Sequence, residues 1–193
     1  MNHRSAKKTP KSKVLKTALC LFSSKGYSKT KMAEIARKAG LSVGALYLRY
    51  KSKEELCLEL IKDQTQDFIE RTRNLPQKDP LKALQTYIEL NLDYAFQKRR
   101  LLSLFFREHN LPFMHPLRKN FFRVQHEIIR KILNEGIRSG IFMPSNNKDC
   151  ATMIFASIRG AVLLKLIFNI GDTKTMSKSL FNLIINGIGK DPK

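Results

Sequence analysis

The 193-residue chain carries 36 lysines and arginines against 16 acidic residues, a formal net charge of +20, and is 42% hydrophobic. That composition supports a real core and excludes a chain disordered in bulk. The apolar stretch 153–168 is interrupted by Arg159 and Lys165, no signal-type apolar segment follows the basic N-terminus, and Cys20, Cys57 and Cys150 have neither metal nor disulfide-framework spacing. The expectation is a cytoplasmic protein without a membrane span or cofactor.

The charge is uneven. Residues 1–53 hold 14 basic residues and one acidic one, Glu34, a net +13. Such asymmetry points to a polyanion partner for the N-terminal segment.

Helical periodicity runs through nearly the whole chain, and β-type alternation is missing. Residues 1–11 read as a basic tail. Ser12 is the expected cap of a first helix whose apolar residues Val14, Leu15, Ala18, Leu19 and Phe22 recur at three and four, with Gly26 ending it. Thr30 is the expected cap of a short second helix, with Met32, Ile35 and Ala36 inward. Gly40 stops that helix, Leu41 plugs the core and Ser42 caps a third running to about Tyr50. Ser52 and Glu55 have the spacing of a capping box at the start of a fourth helix, which reaches about Asn74. Longer helices are predicted over 81–98, 100–110, 117–139, 149–168 and 174–188. The sequence therefore predicts an all-α protein of about nine helices, a basic three-helix head over 12–56 and a larger helical body over 57–193.

Two short helices joined by a Gly-containing turn inside a basic three-helix unit make a helix-turn-helix candidate. A helix that reads base edges is best kept thin in its first turn, and Ser42, Val43, Gly44 and Ala45 are small. Tyr47, Arg49, Lys51 and Lys53 then supply a hydroxyl and three cations for phosphates. Thr30 and Lys31 are placed to hold the opposite backbone. Leu46 and Tyr50, four apart, are expected to face inward.

"TKMAEIARKAGLSVGALYLRYKSKEEL", preceded by "LFSSKGYSKT", resembles the DNA-binding domain of TetR-family bacterial transcriptional regulators. The shared features are Gly26-Tyr27, Thr30, Ile35-Ala36, Ala39-Gly40-Leu41-Ser42, Leu46-Tyr47 and Lys53-Glu54-Glu55-Leu56, within residues 12–60. The resemblance implies phosphate contacts for Tyr47 and Lys53. It also implies a body that binds a ligand and dimerises through its last two helices. Leu48-Arg49-Tyr50 departs from the aromatic or histidine that the family often carries before a phenylalanine.

The body's own pattern agrees. Helix 149–168 is apolar nearly all round, Ala156 and Gly160 form a small-residue row, and Met176, Leu180, Ile184 and Ile188 follow one face of the last helix. Polar groups stranded on apolar stripes mark a candidate ligand site: Tyr87, Asn91, Tyr94, Gln125, His126 and Arg159, with Phe105 and Phe122 as lining. A buried arginine in particular needs a carboxylate, from the protein or from a ligand.

These features describe a homodimeric DNA-binding repressor, not an enzyme, released from a near-palindromic duplex operator by a small, mostly apolar effector. The alternative is a DNA-binding protein whose body takes a protein partner and no effector. Neither a hydrolase Gly-x-Ser-x-Gly nor a phosphate loop occurs.

Overall fold

A computed structural model describes residues 9–76, 78–108, 110–144 and 146–188. Among them are nine α-helices: α1 Lys11–Lys25, α2 Met32–Ala39, α3 Val43–Arg49, α4 Lys53–Arg73, α5 Pro80–Gln97, α6 Arg99–Arg107, α7 Met114–Arg138, α8 Asn147–Phe168 and α9 Thr173–Ile188. The all-α expectation holds. Of the expected N-terminal tail, residues 1–8 lie outside the described residues; Thr9 is buried, and Lys11 already opens α1.

Contacts divide the chain into two compact units, residues 1–65 with 100–114, and residues 66–99 with 115–193. The first unit thus contains α6, which the sequence reading assigns to the body. Its core is Val14, Leu15, Ala18, Leu21 and Phe22 of α1, Ile35 and Ala36 of α2, Leu46 of α3, and Leu56, Leu60 and Ile61 of α4, with Leu101 and Leu104 of α6 also buried. Arg107 of α6 donates to the Phe22 carbonyl, one of the acceptors left bare at the end of α1. The Glu108 carboxylate accepts from the Tyr27 backbone N–H at 2.9 Å, and the Tyr27 ring packs 5.2 Å from that of Phe113.

Three expected helix starts need correction. Pro10, not Ser12, precedes α1; its fixed φ of −60° suits a helix entry, and no side chain caps that end. Lys31 occupies the N-cap position of α2, also without a side-chain cap, because the Thr30 hydroxyl is turned inward to the Gly26 carbonyl at 2.7 Å. At α4 only half of the capping box forms. Ser52 Oγ accepts from Glu55 N at 3.0 Å, but the Glu55 carboxylate reaches back to Lys51 N at 2.6 Å, one residue beyond the expected donor.

In the second unit α5 is the central helix and packs on both α8 and α9. It starts cleanly, with Asp79 accepting from Lys82 N at 2.9 Å and Pro80 in the first turn. Leu84, Tyr87, Ile88 and Leu92 on α5 meet a core that includes Ile129 and Leu133 on α7 and Ile154, Ile158 and Val162 on α8. By length and composition α8 would be apolar enough to cross a membrane. Its buried row, Ala151, Ile154, Ile158 and Val162, instead forms part of this helical core.

Candidate functional site

The turn between α2 and α3 is built by three residues in succession. Gly40 adopts the left-handed conformation (φ 77°) that a side-chain-bearing residue resists, and Leu41 N returns to the Ala36 carbonyl at 2.9 Å. Ser42 Oγ then accepts from Ala45 N at 3.1 Å, starting α3. Leu46 and Tyr50 are buried, as their spacing predicts, so the opposite side of α3 is left to solvent.

That face carries Ser42, Val43, Gly44, Tyr47, Leu48 and Lys51, all exposed, with Ala45 at its margin. Lys31, at the start of α2, is exposed as well. A Cβ added at Gly44 would meet nothing within 4 Å, so the first turn of α3 is open to an incoming surface. Leu48, part of the departure from the family pattern and not among the predicted DNA contacts, is 91% exposed. The signal was available: Gly44, Tyr47, Leu48 and Lys51 fall on one helical face by their spacing. An apolar side chain so exposed beside a tyrosine and a lysine suits contact with a thymine methyl group.

The remaining predicted contacts are engaged within the head. Thr30 is buried. Arg49 Nη1 donates to the Thr9 carbonyl at 2.7 Å and so holds the chain entering α1. Lys53 Nζ donates to the carbonyls of Tyr27 at 2.8 Å, Thr30 at 3.0 Å and Ser28 at 3.3 Å. An ammonium has three protons, and the α1–α2 loop takes them all.

In the second unit most of the predicted ligand residues form one cluster. Tyr87 is fully buried and its hydroxyl donates to Gln125 Oε1 at 2.9 Å; Asn91 Nδ2 donates to the Tyr87 carbonyl at 2.8 Å. Tyr94 stacks on Phe68, which in turn stacks on Phe121. The Arg159 guanidinium lies over the rings of Phe121 and Phe155, 5.0 and 5.2 Å from their centroids. Burial pushes its pKa below the ordinary arginine value, and the phenols of Tyr87 and Tyr94 act in the other direction. Burial likewise raises the pKa of both phenols, which stay protonated donors.

Phe122 and His126 lie at the edge of this cluster. Their rings are 5.4 Å apart, and His126 Nε2 is within hydrogen-bond distance of the Lys148 carbonyl and Thr152 Oγ1, at 3.1 and 3.2 Å. Phe105 lies on α6, in the first unit. A separate cleft of about 700 Å³ opens between the end of α4, the start of α5 and α7, lined among others by Arg73, Ile128, Lys131 and Arg138. None of the eight predicted ligand residues lines it.

The exposed faces of α8 and α9 are the last notable surface. Met153, Leu164 and Ile167 on α8 and Leu183 on α9 are 64%, 45%, 61% and 71% exposed, and Ala156 and Gly160 lie on the same α8 face. Met176, Leu180 and Ile184, the expected outward row of α9, are only partly exposed. They flank buried Ser177, so α9 is turned relative to the expectation and presents Ser179, Asn182, Leu183 and Asn186 to solvent.

A basic helix-turn-helix head on a helical body defines a class of bacterial DNA-binding regulator. Comparison with known proteins gives the family: the model for bacterial regulatory proteins of the tetR family matches residues 14–60. Residues 14–60 are thus a TetR-family DNA-binding domain, and the chain is a DNA-binding transcriptional regulator.

The fatty acid metabolism regulator protein of Bacillus subtilis is 27% identical over 189 residues, covering 91% of this chain and 93% of that protein. YerO, an HTH-type transcriptional regulator of the same organism, is 28% identical over 121 residues; the match takes in 61% of this chain but only 42% of YerO. The crystal structure of FadR from Bacillus subtilis in complex with stearoyl-CoA superimposes with a TM-score of 0.79 at 24% identity, covering 93% of this chain and all of that one.

Proposed function

We propose that this regulator is a cytoplasmic homodimeric repressor that acts by binding and not by catalysis, and that a small, mostly apolar ligand taken up by the body releases it from a near-palindromic operator. The exposed α3 face carries the DNA part of this reading. In it, Ser42, Val43, Gly44, Ala45 and Leu48 meet base edges, while Tyr47, Lys51 and Lys31 grip phosphates. Arg49 and Lys53 contribute mainly by holding the loops that set the pose of α3.

The dimer is supported by the apolar α8 surface, since only 22% of the apolar window of that helix is buried within the chain. Two copies pairing α8 and α9 as a four-helix bundle would cover it and present two heads to two half-sites. The aromatic cluster around Tyr87, Gln125 and Arg159 supports an apolar ligand, as does the likeness to a fatty acid metabolism regulator.

The test is selection of bound duplexes from a random pool by the full-length chain. A two-fold-symmetric consensus is expected, followed by release of the selected duplex on adding members of a panel of fatty acids, acyl thioesters and aromatic compounds. An asymmetric single half-site would reject the dimeric reading. A symmetric site that no panel member releases would favour a body that takes a protein partner.

A further inference from the structure

Two side chains of the body's polar cluster stand out, Gln125 at its buried centre and Arg159, which is partly buried. Gln125 Nε2 is wholly buried and has no partner, its Oε1 being already taken by the Tyr87 hydroxyl. Arg159 makes no ion pair among the described residues; its guanidinium lies over the faces of Phe121 and Phe155, with the phenols of Tyr87 and Tyr94 also acting on it. Phe121 precedes Gln125 by four residues on α7, so the ring under the guanidinium and the bare amide share one helical face.

A core selected for stability alone would not keep this pair. Ring faces attract a cation but offer no atom to accept its N–H groups. Position 159 lies one residue from buried Ile158 and three from buried Val162, where a methionine or leucine would fill the space without a desolvated charge. An arginine there, beside an amide with its donor end bare, has the composition of a seat for something that brings oxygen acceptors.

We infer that Arg159 and Gln125 together seat the headgroup of the ligand, and that this ligand is a monoanionic amphiphile whose carboxylate takes both donor groups while its chain lies against Phe121, Phe155 and Phe68. The charge count favours a carboxylate over a phosphate. The ionisable groups that act on Arg159 are the phenols of Tyr87 and Tyr94, and the Asp67 carboxylate acts in turn on Tyr94, so the single positive charge of Arg159 suits a monoanion and would leave a dianion half-neutralised. A carboxylate presents two oxygens, one for the guanidinium and one that the Gln125 amide can share. This inference rests on the reading of the body as a ligand-binding domain and names the chemistry of that ligand.

The experiment uses the full-length protein with straight-chain carboxylates from eight to eighteen carbons and their methyl esters, followed by calorimetry and thermal unfolding. The acid is expected to bind about 10–100-fold more tightly than the ester of the same chain, the discrimination given by a charged hydrogen bond that the ester cannot complete. Arg159→Met should erase that difference while raising the ligand-free Tm, because an uncompensated charge is removed. Gln125→Glu, which supplies a carboxylate to Arg159 from within, should also raise the ligand-free Tm and should repel the acid more than the ester.

Equal binding of acid and ester to the unmodified protein overturns the carboxylate seat and leaves the apolar-ligand reading standing. If Arg159→Met lowers Tm and leaves acid binding intact, Arg159 is a structural strut and the inference fails. If no acid or ester shifts Tm, the seat fails; whether the body takes a ligand at all is then decided by the aromatic and thioester members of the panel.

Discussion

Lys53 is held by Tyr27 twice, through the backbone carbonyl, 2.8 Å from Nζ, and through the ring, whose centroid is 4.4 Å away. With Ser28 and Thr30 also accepting from the ammonium, this side chain ties the start of α4 to the loop that aims α2. The family resemblance implies a phosphate contact for Lys53; in this geometry its ammonium also braces the loop. Lys53→Met should therefore cost stability, about 1–3 kcal/mol for the lost charged hydrogen bonds, together with DNA affinity. Lys51→Ala, at an exposed position, should cost affinity with unchanged stability. Urea unfolding beside a binding titration separates the two; equal stability of both variants would mean that Lys53 does not brace the loop.

DNA binding should be steeply salt-dependent. For about 6–10 neutralised phosphates, affinity falls about 10³–10⁵-fold between 50 and 200 mM salt. Tyr47→Phe and Lys51→Ala should weaken all sequences alike, and the lysine change should flatten the salt slope by about one unit. Leu48→Ser should instead relax the preference at one base position. A slope near zero would contradict a phosphate-dominated interface.

How much of this was legible in the sequence varies with the physics of each feature. Helix positions and the inward turn of Leu46 and Tyr50 follow from 3.6-residue periodicity, which burial enforces. Caps were read less well. Ser12 and Thr30 are good cap residues by type, but a cap also needs its backbone in the right place, and Pro10 and the inward bond of Thr30 decide that. The assignment of α6 to the head rests on Arg107 and Glu108 meeting Phe22 and Tyr27, more than 80 residues away, a tertiary pairing that no local pattern reports. The Tyr87–Gln125–Arg159 cluster was legible because polar residues on apolar stripes are costly and therefore conspicuous. That Gln125 would keep one end unpaired was not, since that depends on which acceptors the packing excludes.

The dimer makes opposing demands on Gly160. In one chain a Cβ at this position meets nothing within 4 Å, so Gly160→Ala should help α8 by about 0.5–1 kcal/mol if the chain is alone. Across a close helix pair the same methyl group, and still more the side chain of Gly160→Leu, would push the partner away. Light scattering should find the unmodified protein dimeric at micromolar concentration, with Gly160→Leu and Leu183→Glu each shifted towards monomer. A monomeric unmodified protein rejects the α8–α9 interface.

Gly136 should show the reverse of the usual helix rule. Alanine for glycine inside a helix ordinarily stabilises by about 0.5–1 kcal/mol, because the unfolded chain loses freedom. At Gly136 the added Cβ would lie 2.0 Å from Cδ2 and 2.3 Å from Cε2 of Phe142, whose side chain is fully buried. That ring cannot withdraw easily, since Phe142 N and Ile141 N both donate to the carbonyl of Gly136 itself, at 3.0 and 2.9 Å. The chain is bent back there by Gly140 in the left-handed region, φ 73°, so the segment bearing Phe142 is fixed to the end of α7. Gly136→Ala should therefore destabilise the body by about 1–3 kcal/mol, an overpacking cost that outweighs the entropic gain. Phe142→Leu alone should also destabilise, by opening a cavity, but combined with Gly136→Ala it should cost less than the sum of the two, because the shorter side chain makes room for the methyl. Thermal unfolding of the four proteins closes this cycle. A stabilised Gly136→Ala, or strict additivity, would show that Phe142 does not pack on this glycine.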